Sequence, residues 1–381
     1  MAFLDDNYLI TNETGKRIFN AVKDLPVIDP HNHADVKEIA DNNCYSNAWQ
    51  LFAATDHYVW ELLRKRGVPE ELITGKADPR SKFLAMAKVF PETAGNPLYE
   101  WIHLDLRRYF GIDLLLNEEN GPKIWEEVNA KLATDAFRPQ ALLTGPLNVE
   151  AMSSTDDLID TLENHDRANK AFGRTLIRPT WRPDKAMKIF APGWRDYIGQ
   201  VEKRFDMKIE TLSDLLDATK KSHDFFAEHG CRASDHGIEY PVRADYRFED
   251  ADAAFRKALS GKELTQEETD CYMGTFLAEA AALNAETGWV TQLHIGAVRD
   301  VRKTLFDALV GGDVSSHFID YTRPLATLLN RFDGKLKVVL YCMDAIHQMS
   351  LATLARAFGE TVSLGSAWWL NDNPIGMGRQ L

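Results

Sequence analysis

Seven short apolar segments, separated by helix-forming stretches, restrict this chain more than any other feature of its sequence. They are Val27 to His33, Val149 to Ser154, Thr175 to Arg182, Cys231 to Ile238, Val290 to Ala297, Lys337 to Met343 and Thr361 to Trp369. Runs that are apolar on both faces read as strands buried on both sides. Helix signals fill the gaps. Thr265 with Glu268 makes a capping box, Tyr272, Phe276, Ala280 and Leu283 form a stripe, and Gly288 stops the helix before Val290. Leu351, Leu354, Ala355 and Phe358, closed by Gly359, repeat the device before Thr361, and an opening helix carries Ile18, Val22 and Leu25 on one face. The alternation predicts an α/β fold with a parallel sheet covered by helices.

Two architectures satisfy that pattern. A doubly wound sheet would place a nucleotide on a glycine-rich first turn, yet Asp29 to Asp35 contains no glycine. A (β/α)8 barrel instead predicts polar residues at the C-terminal ends of strands, where His31, His33, Arg182, Asp235, His236, His294, Asp344 and Trp369 fall. Residues 34–148 are far too many for an ordinary strand-to-helix connection and predict a helical insertion subdomain. The expected organisation is an opening helix and first strand in 1–33, the insertion in 34–148, and the remainder of a distorted TIM-like barrel in 149–381. An eighth strand is not found before Leu381, so the barrel is expected to be truncated.

The pair His31 and His33, in Asp29-Pro30-His31-Asn32-His33, is the first chemical signal. On an extended strand alternate side chains share a face, and two imidazoles side by side suit one divalent cation. A net charge of −13 disfavours nucleic acid as a partner, and no apolar run is long enough to span a bilayer. Four scattered cysteines without Cys-x-x-Cys spacing, and no secretory signal at Met1 to Asp6, read as reduced thiols in a cytoplasmic protein.

Further motifs extend the pattern: Ala54-Thr55-Asp56-His57-Tyr58, Leu72-Ile73-Thr74-Gly75, Gly95 to Leu104, Pro179-Thr180-Trp181-Arg182-Pro183-Asp184, Ser234-Asp235-His236, Gln292-Leu293-His294-Ile295-Gly296-Ala297 and Trp368-Trp369-Leu370-Asn371-Asp372. Together with the His-x-His pair they resemble the uronate isomerase (glucuronate isomerase) family, a branch of the amidohydrolase superfamily. The resemblance implies interconversion of D-glucuronate with D-fructuronate and of D-galacturonate with D-tagaturonate, by metal-assisted proton transfer through an enediol. It implies one divalent ion, Zn²⁺, on His31 and His33, with His57 and Tyr58 catalytic. Arg182, His294 and Trp369 are expected to bind the substrate, and His294 suits the metal equally well. Asp235 and His236 are expected in the site wall. The family's acidic third ligand and a neighbouring Arg are expected on the eighth strand. A metal-dependent amidohydrolase and an inactive sugar-acid-binding homologue are the alternative readings, and homo-oligomerisation is compatible with the sequence without being specified by it.

Overall fold

Each apolar segment contributes a strand, usually shorter than the apolar run itself. The computed structural model describes residues 4–5, 7–306, 312, 314–315, 318–366, 368 and 371–381. Its strands are β1 (Val27–Asp29), β2 (Val149–Ser153), β3 (Asp156–Asp157), β4 (Ile177–Arg178), β5 (Trp181–Arg182), β6 (Ala233–Ile238), β7 (Val290–Ile295), β8 (Val298–Arg299), β9 (Val314–Ser315), β10 (Lys337–Cys342) and β11 (Val362–Leu364). One parallel sheet has the order β1-β2-β4, and the other the order β11-β10-β7-β6-β5-β3. β2 leads into β3 across Ser154 and Thr155, and β4 into β5 across Pro179 and Thr180. The two sheets are therefore one succession of seven parallel segments in chain order, interrupted part-way. Pro179 has no N–H to give to a ladder, which fits the break at that point. β8 and β9 form a separate antiparallel pair. The α/β class with parallel strands stands.

The helix stops and starts follow local chemistry. Helix Gln266–Thr287 begins with a capping box in which the Thr265 hydroxyl accepts from Glu268 N–H and the Glu268 carboxylate accepts from Thr265 N–H. It ends at Gly288, whose φ of 71° lies in the left-handed region open to glycine. Between Val36 and Thr144 the regular structure is helical throughout. Those helices enclose a separate core that includes Trp49, Phe83, Met86, Ile124 and Val128. The opening helix departs from expectation. Helix Glu13–Val22 buries none of its residues, it ends before Leu25, and Ile18, Val22 and Leu25 all stay exposed among the described residues.

Beneath the strands a buried polar group ties the sheet to its helices. Asn284 Nδ2 donates to Ser234 Oγ and to Thr291 Oγ1, both at 2.7 Å, while its Oδ1 lies 3.2 Å from His223 Nε2. All four residues are buried, so each bond replaces one that water cannot supply. Asn284→Ala would leave three buried partners short of a bond. A loss of about 2–4 kcal/mol in urea unfolding is expected.

Candidate active site and metal centre

A cleft of about 880 Å³ lies near the start of β1 and includes Lys16, Lys23, Leu25 and Val27 in its walls, with no histidine among its lining residues. Chemistry converges elsewhere. A cavity of about 320 Å³ is lined by His31, His33, Arg182, His294, Arg299 and Trp368, among others. It opens at the C-terminal ends of the parallel strands.

Strand register decides which side chains reach it. β6 and β7 pair Asp235 with Gln292 and Gly237 with His294, and β10 pairs Tyr341 with His294. Neighbours in register share a face, and alternate residues along a strand share it too. Asp235, Gly237, Gln292, His294 and Tyr341 therefore form one surface. His236 has the opposite parity. It is fully buried, with Nε2 2.8 Å from Ser234 Oγ, and it does not line the cavity.

His31, Asp235 and His294 bring one potential ligand atom each to within 4.8 Å of one another. Asp235 Oδ1 accepts from His294 Nδ1 at 2.6 Å, which orients the ring and leaves Nε2 available. Both nitrogens of His31 are buried without a hydrogen-bond partner. Asp235 Oδ2 likewise accepts no hydrogen bond, although Arg182 Nε lies 3.3 Å away. Orphaned imidazole and carboxylate atoms converging on one point fit a divalent cation. Burial chiefly, with the nearby positive groups, holds His31 down at about 3, so it stays neutral and able to ligate. Burial alone would raise Asp235, but the His294 hydrogen bond and the Arg182 charge outweigh it and hold the carboxyl at about 2. His33 stands outside this set, its ring edge-on to His31 at 5.0 Å between centroids. Both histidines follow β1 rather than lying in it, so strand alternation is not what brings them together.

Arg182 is held from two sides. Its Nε lies 3.2 Å from Asp184 Oδ2 and 3.3 Å from Asp235 Oδ2, and Asp184 Oδ2 also accepts from Lys188 Nζ and Gly237 N–H. A Cβ at position 237 would stand 2.5 Å from Arg182 Nη2, so only glycine leaves room for the guanidinium. Burial works against ionised Asp184, yet the Lys188, His236 and Arg182 interactions keep its carboxyl well below the usual range.

Tyr341 supports the other side of His294. The rings stack at 4.3 Å with a 2° interplanar angle, and the His31 ring lies to one side, 4.4 Å from His294 and 6.4 Å from Tyr341 between centroids. The Tyr341 hydroxyl donates to Gln292 Oε1 at 2.9 Å, and Gln292 Nε2 reaches the Pro30 carbonyl at 3.4 Å, just before His31. Gly365 backs the tyrosine so closely that a Cβ there would lie 2.3 Å from its ring.

The glucuronate isomerase family model matches residues 1–381. A uronate isomerase from Thermotoga maritima is 47% identical over 378 residues, covering 98% of this chain and 83% of that protein. One from Caldicellulosiruptor saccharolyticus is 38% identical and covers 100% and 84%. The crystal structure of the T. maritima uronate isomerase superposes with a TM-score of 0.96 at 46% identity, covering 100% of this chain and 84% of that one. Glucuronate isomerase from Caulobacter crescentus gives 0.92 at 26% identity, covering 99% and 82%. The chain belongs to the glucuronate isomerase family.

The remaining expected residues fall at different depths around this family's site. His57 and Tyr58 open helix His57–Lys65, behind its Asp56 cap. Neither lines the cavity. Tyr58 is buried, and its hydroxyl accepts from Trp368 Nε1 at 3.3 Å, so Trp368 stands between the phenol and the cavity. Burial and the Arg299 charge lower His57, whose Nε2 is buried without a hydrogen bond. Trp369 lies outside the described residues. Trp368, Tyr341, Gln292 and Arg299 were not expected in the site. The Trp368-Trp369 pair was visible in the sequence, but β11 ends at Leu364, and strand parity cannot choose between two tryptophans beyond it.

Two outcomes are expected here. Gly365→Ala should push Tyr341 off His294 and cost about 1–3 kcal/mol in denaturant unfolding, whereas Tyr341→Phe keeps the stack and should cost about 1 kcal/mol. The second concerns pH. His31 titrates lower in the fold than when unfolded, so its contribution to stability is complete above about pH 6.5 and lost as pH falls toward 3. Chelator-treated protein should therefore lose thermal midpoint steadily below pH 6.5 in calorimetry, and His31→Gln should flatten that slope.

Proposed function

We propose that this chain is a metal-dependent uronate isomerase, interconverting D-glucuronate with D-fructuronate and D-galacturonate with D-tagaturonate. The family match over the whole of residues 1–381 carries the reading, and the site chemistry supports it. The parallel segments, following one another in chain order with the cavity at their C-terminal ends, support a distorted (β/α)8 barrel with residues 34–148 as its helical insertion. No helix among the described residues is long and apolar enough to cross a membrane. A cytoplasmic location remains part of this proposal.

Aldose-to-ketose conversion moves a proton from C2 to C1 and develops negative charge on O1 and O2. His31, Asp235 and His294 would hold the divalent ion, with His33 beside them. Two imidazoles and a carboxylate suit Zn²⁺, which when bound acts as a Lewis acid toward the substrate's oxygens. Arg182, oriented by Asp184 and Asp235, presents positive charge to the sugar's oxygens. His294 is fixed between Asp235 and Tyr341, so it cannot turn away from the sugar. Neutral His57, with Nε2 unbonded, and Tyr58 behind Trp368 are the proposed proton-moving groups. Trp369 and Asp235 complete the proposed site, and His236, buried against Ser234, takes no part in substrate contact.

The test is isomerisation of D-glucuronate by the Zn²⁺-loaded protein in D₂O, read by NMR and by coupled reduction of the ketouronate. Deuterium at C1 of the product is expected. The variant lacking both His31 and His33 side chains (each→Ala) should show less than a tenth of the wild-type metal by elemental analysis, with an unchanged far-ultraviolet spectrum. No ketouronate from the wild type would overturn the function, and full metal in the double variant would overturn the proposed ligands.

A further inference from the structure

Asp105 stands on helix Pro97–Arg108, among the helices that follow β1, and is half-buried. With Tyr109 one turn further on, it lines a cavity of about 280 Å³ that shares no residue with the one at His31. The other walls are aromatic or aliphatic. Phe110 stacks on Phe137 at 4.8 Å between centroids and meets Phe52 edge-on at 6.0 Å, with Tyr45 and Leu142 also facing the cavity. No hydrogen bond or ion pair reaches the Asp105 carboxylate among the described residues. Nearby cations are occupied elsewhere. Arg107 donates to the Leu4 carbonyl and pairs with Asp113, Lys131 donates to the Phe110 carbonyl, and Arg108 acts on Asp105 only as a charge.

Burial pushes the Asp105 carboxyl up to about 6, against the pull of the Arg108 charge, so it is still ionised at neutral pH. An ionised carboxylate among aromatic rings narrows the class of ligand. A neutral apolar molecule would leave the carboxylate desolvated with nothing in exchange, and an anion would be repelled. A cation gains twice, through a charge-assisted hydrogen bond to the carboxylate and through attraction to the ring faces. We propose that this cavity binds a small organic amine in its protonated form, with the ammonium group on Asp105 and the apolar body against Phe52, Phe110 and Phe137. A volume at the small end for ligand sites restricts the amine to a compact one. The assignment is independent of the isomerase reading, because none of the proposed metal-ligating, substrate-contacting or proton-moving residues lines this cavity.

The test compares benzylammonium with benzyl alcohol, a cation and a neutral molecule of similar shape, by calorimetric titration and ligand-observed NMR on the full chain. Neutral pH and physiological salt screen the chain's net charge of −13. Benzylammonium should bind the wild type at one site with a Kd of about 1 mM or tighter, and about 10- to 100-fold more tightly than benzyl alcohol. Asp105→Asn keeps the shape and removes the charge, so the two compounds should then bind within about threefold of each other. Leu142→Trp, which fills the cavity, should weaken both. No saturable benzylammonium binding to the wild type would overturn the proposal, and so would a preference for the cation that survives in Asp105→Asn. Benzylammonium binding unchanged in Leu142→Trp would also overturn it and place the cation on the acidic surface.

Discussion

The in-register parallel pairing of β6, β7 and β10 is the constraint on which the site depends. It makes Asp235, Gly237, Gln292, His294 and Tyr341 neighbours on a single face, although they are far apart in sequence. A one-residue slip of any of these strands would exchange its site face for its core face. On β6 such a slip would replace Asp235 by Ser234 or His236. The opposite faces guard against this, since Leu293, Val338, Leu340 and Ile295 are buried in the main core. The Asn284 bonds to Ser234 and Thr291 lock two adjacent strands to one helix residue. Core packing and site geometry are thus fixed by the same registration.

That registration carries an electrostatic burden. Asp184 and Asp235 are both almost wholly buried, a costly arrangement for two carboxylates unless cations and donors compensate them. Arg182 meets both, Lys188 and Gly237 N–H meet Asp184, and His294 meets Asp235. The compensation leaves Asp235 Oδ2 without a hydrogen bond. This is consistent with a site built around a cation, because a neutral water-filled cavity would not require a carboxylate to be kept ionised behind three histidine rings. Two glycines make the close approach possible, Gly237 under Arg182 and Gly365 behind Tyr341.

Local chemistry was legible in the sequence, and long-range register was not. The Thr265 cap and the Gly288 stop were readable because each depends on residues within one turn. The alternation of apolar segments with helices was readable because burial on both faces marks every parallel strand. Asp235 and His236 could be placed together at a strand end, but only the pairing with β7 sets one against His294, while the other turns to Ser234. Tyr341 carries no sequence signal of its own, since an aromatic residue in an apolar strand ordinarily reads as core. Arg299 sits on a two-residue strand too short for any periodicity to mark. The exposed face of helix Glu13–Val22 shows the converse, an amphipathic pattern present in the sequence that stays exposed among the described residues.

Leaving the histidine pair on a loop rather than a strand would ordinarily sacrifice precision, yet the loop is tied from several directions. Asp29 Oδ1 accepts from His31 N–H and its Oδ2 accepts from Asn32 Nδ2, while Asn32 Oδ1 accepts from Ala34 N–H. Asn32 N–H donates to the Ser153 carbonyl, and Thr155 Oγ1 donates to the Asn32 carbonyl, so both backbone groups between the two histidines are bound to the end of β2 and the residues just beyond it. Gln292, from the strand that carries His294, reaches Pro30. The Ser154 N–H still donates to the Arg178 carbonyl, so the strand path runs on toward β3 while the Thr155 hydroxyl holds the histidine loop. Orientation that a strand would have imposed through its own ladder is supplied by side chains from two neighbouring segments. The same tyrosine that braces His294 reaches the His31 loop through Gln292, so the two imidazoles of the proposed ligand set are positioned by one connected network rather than independently.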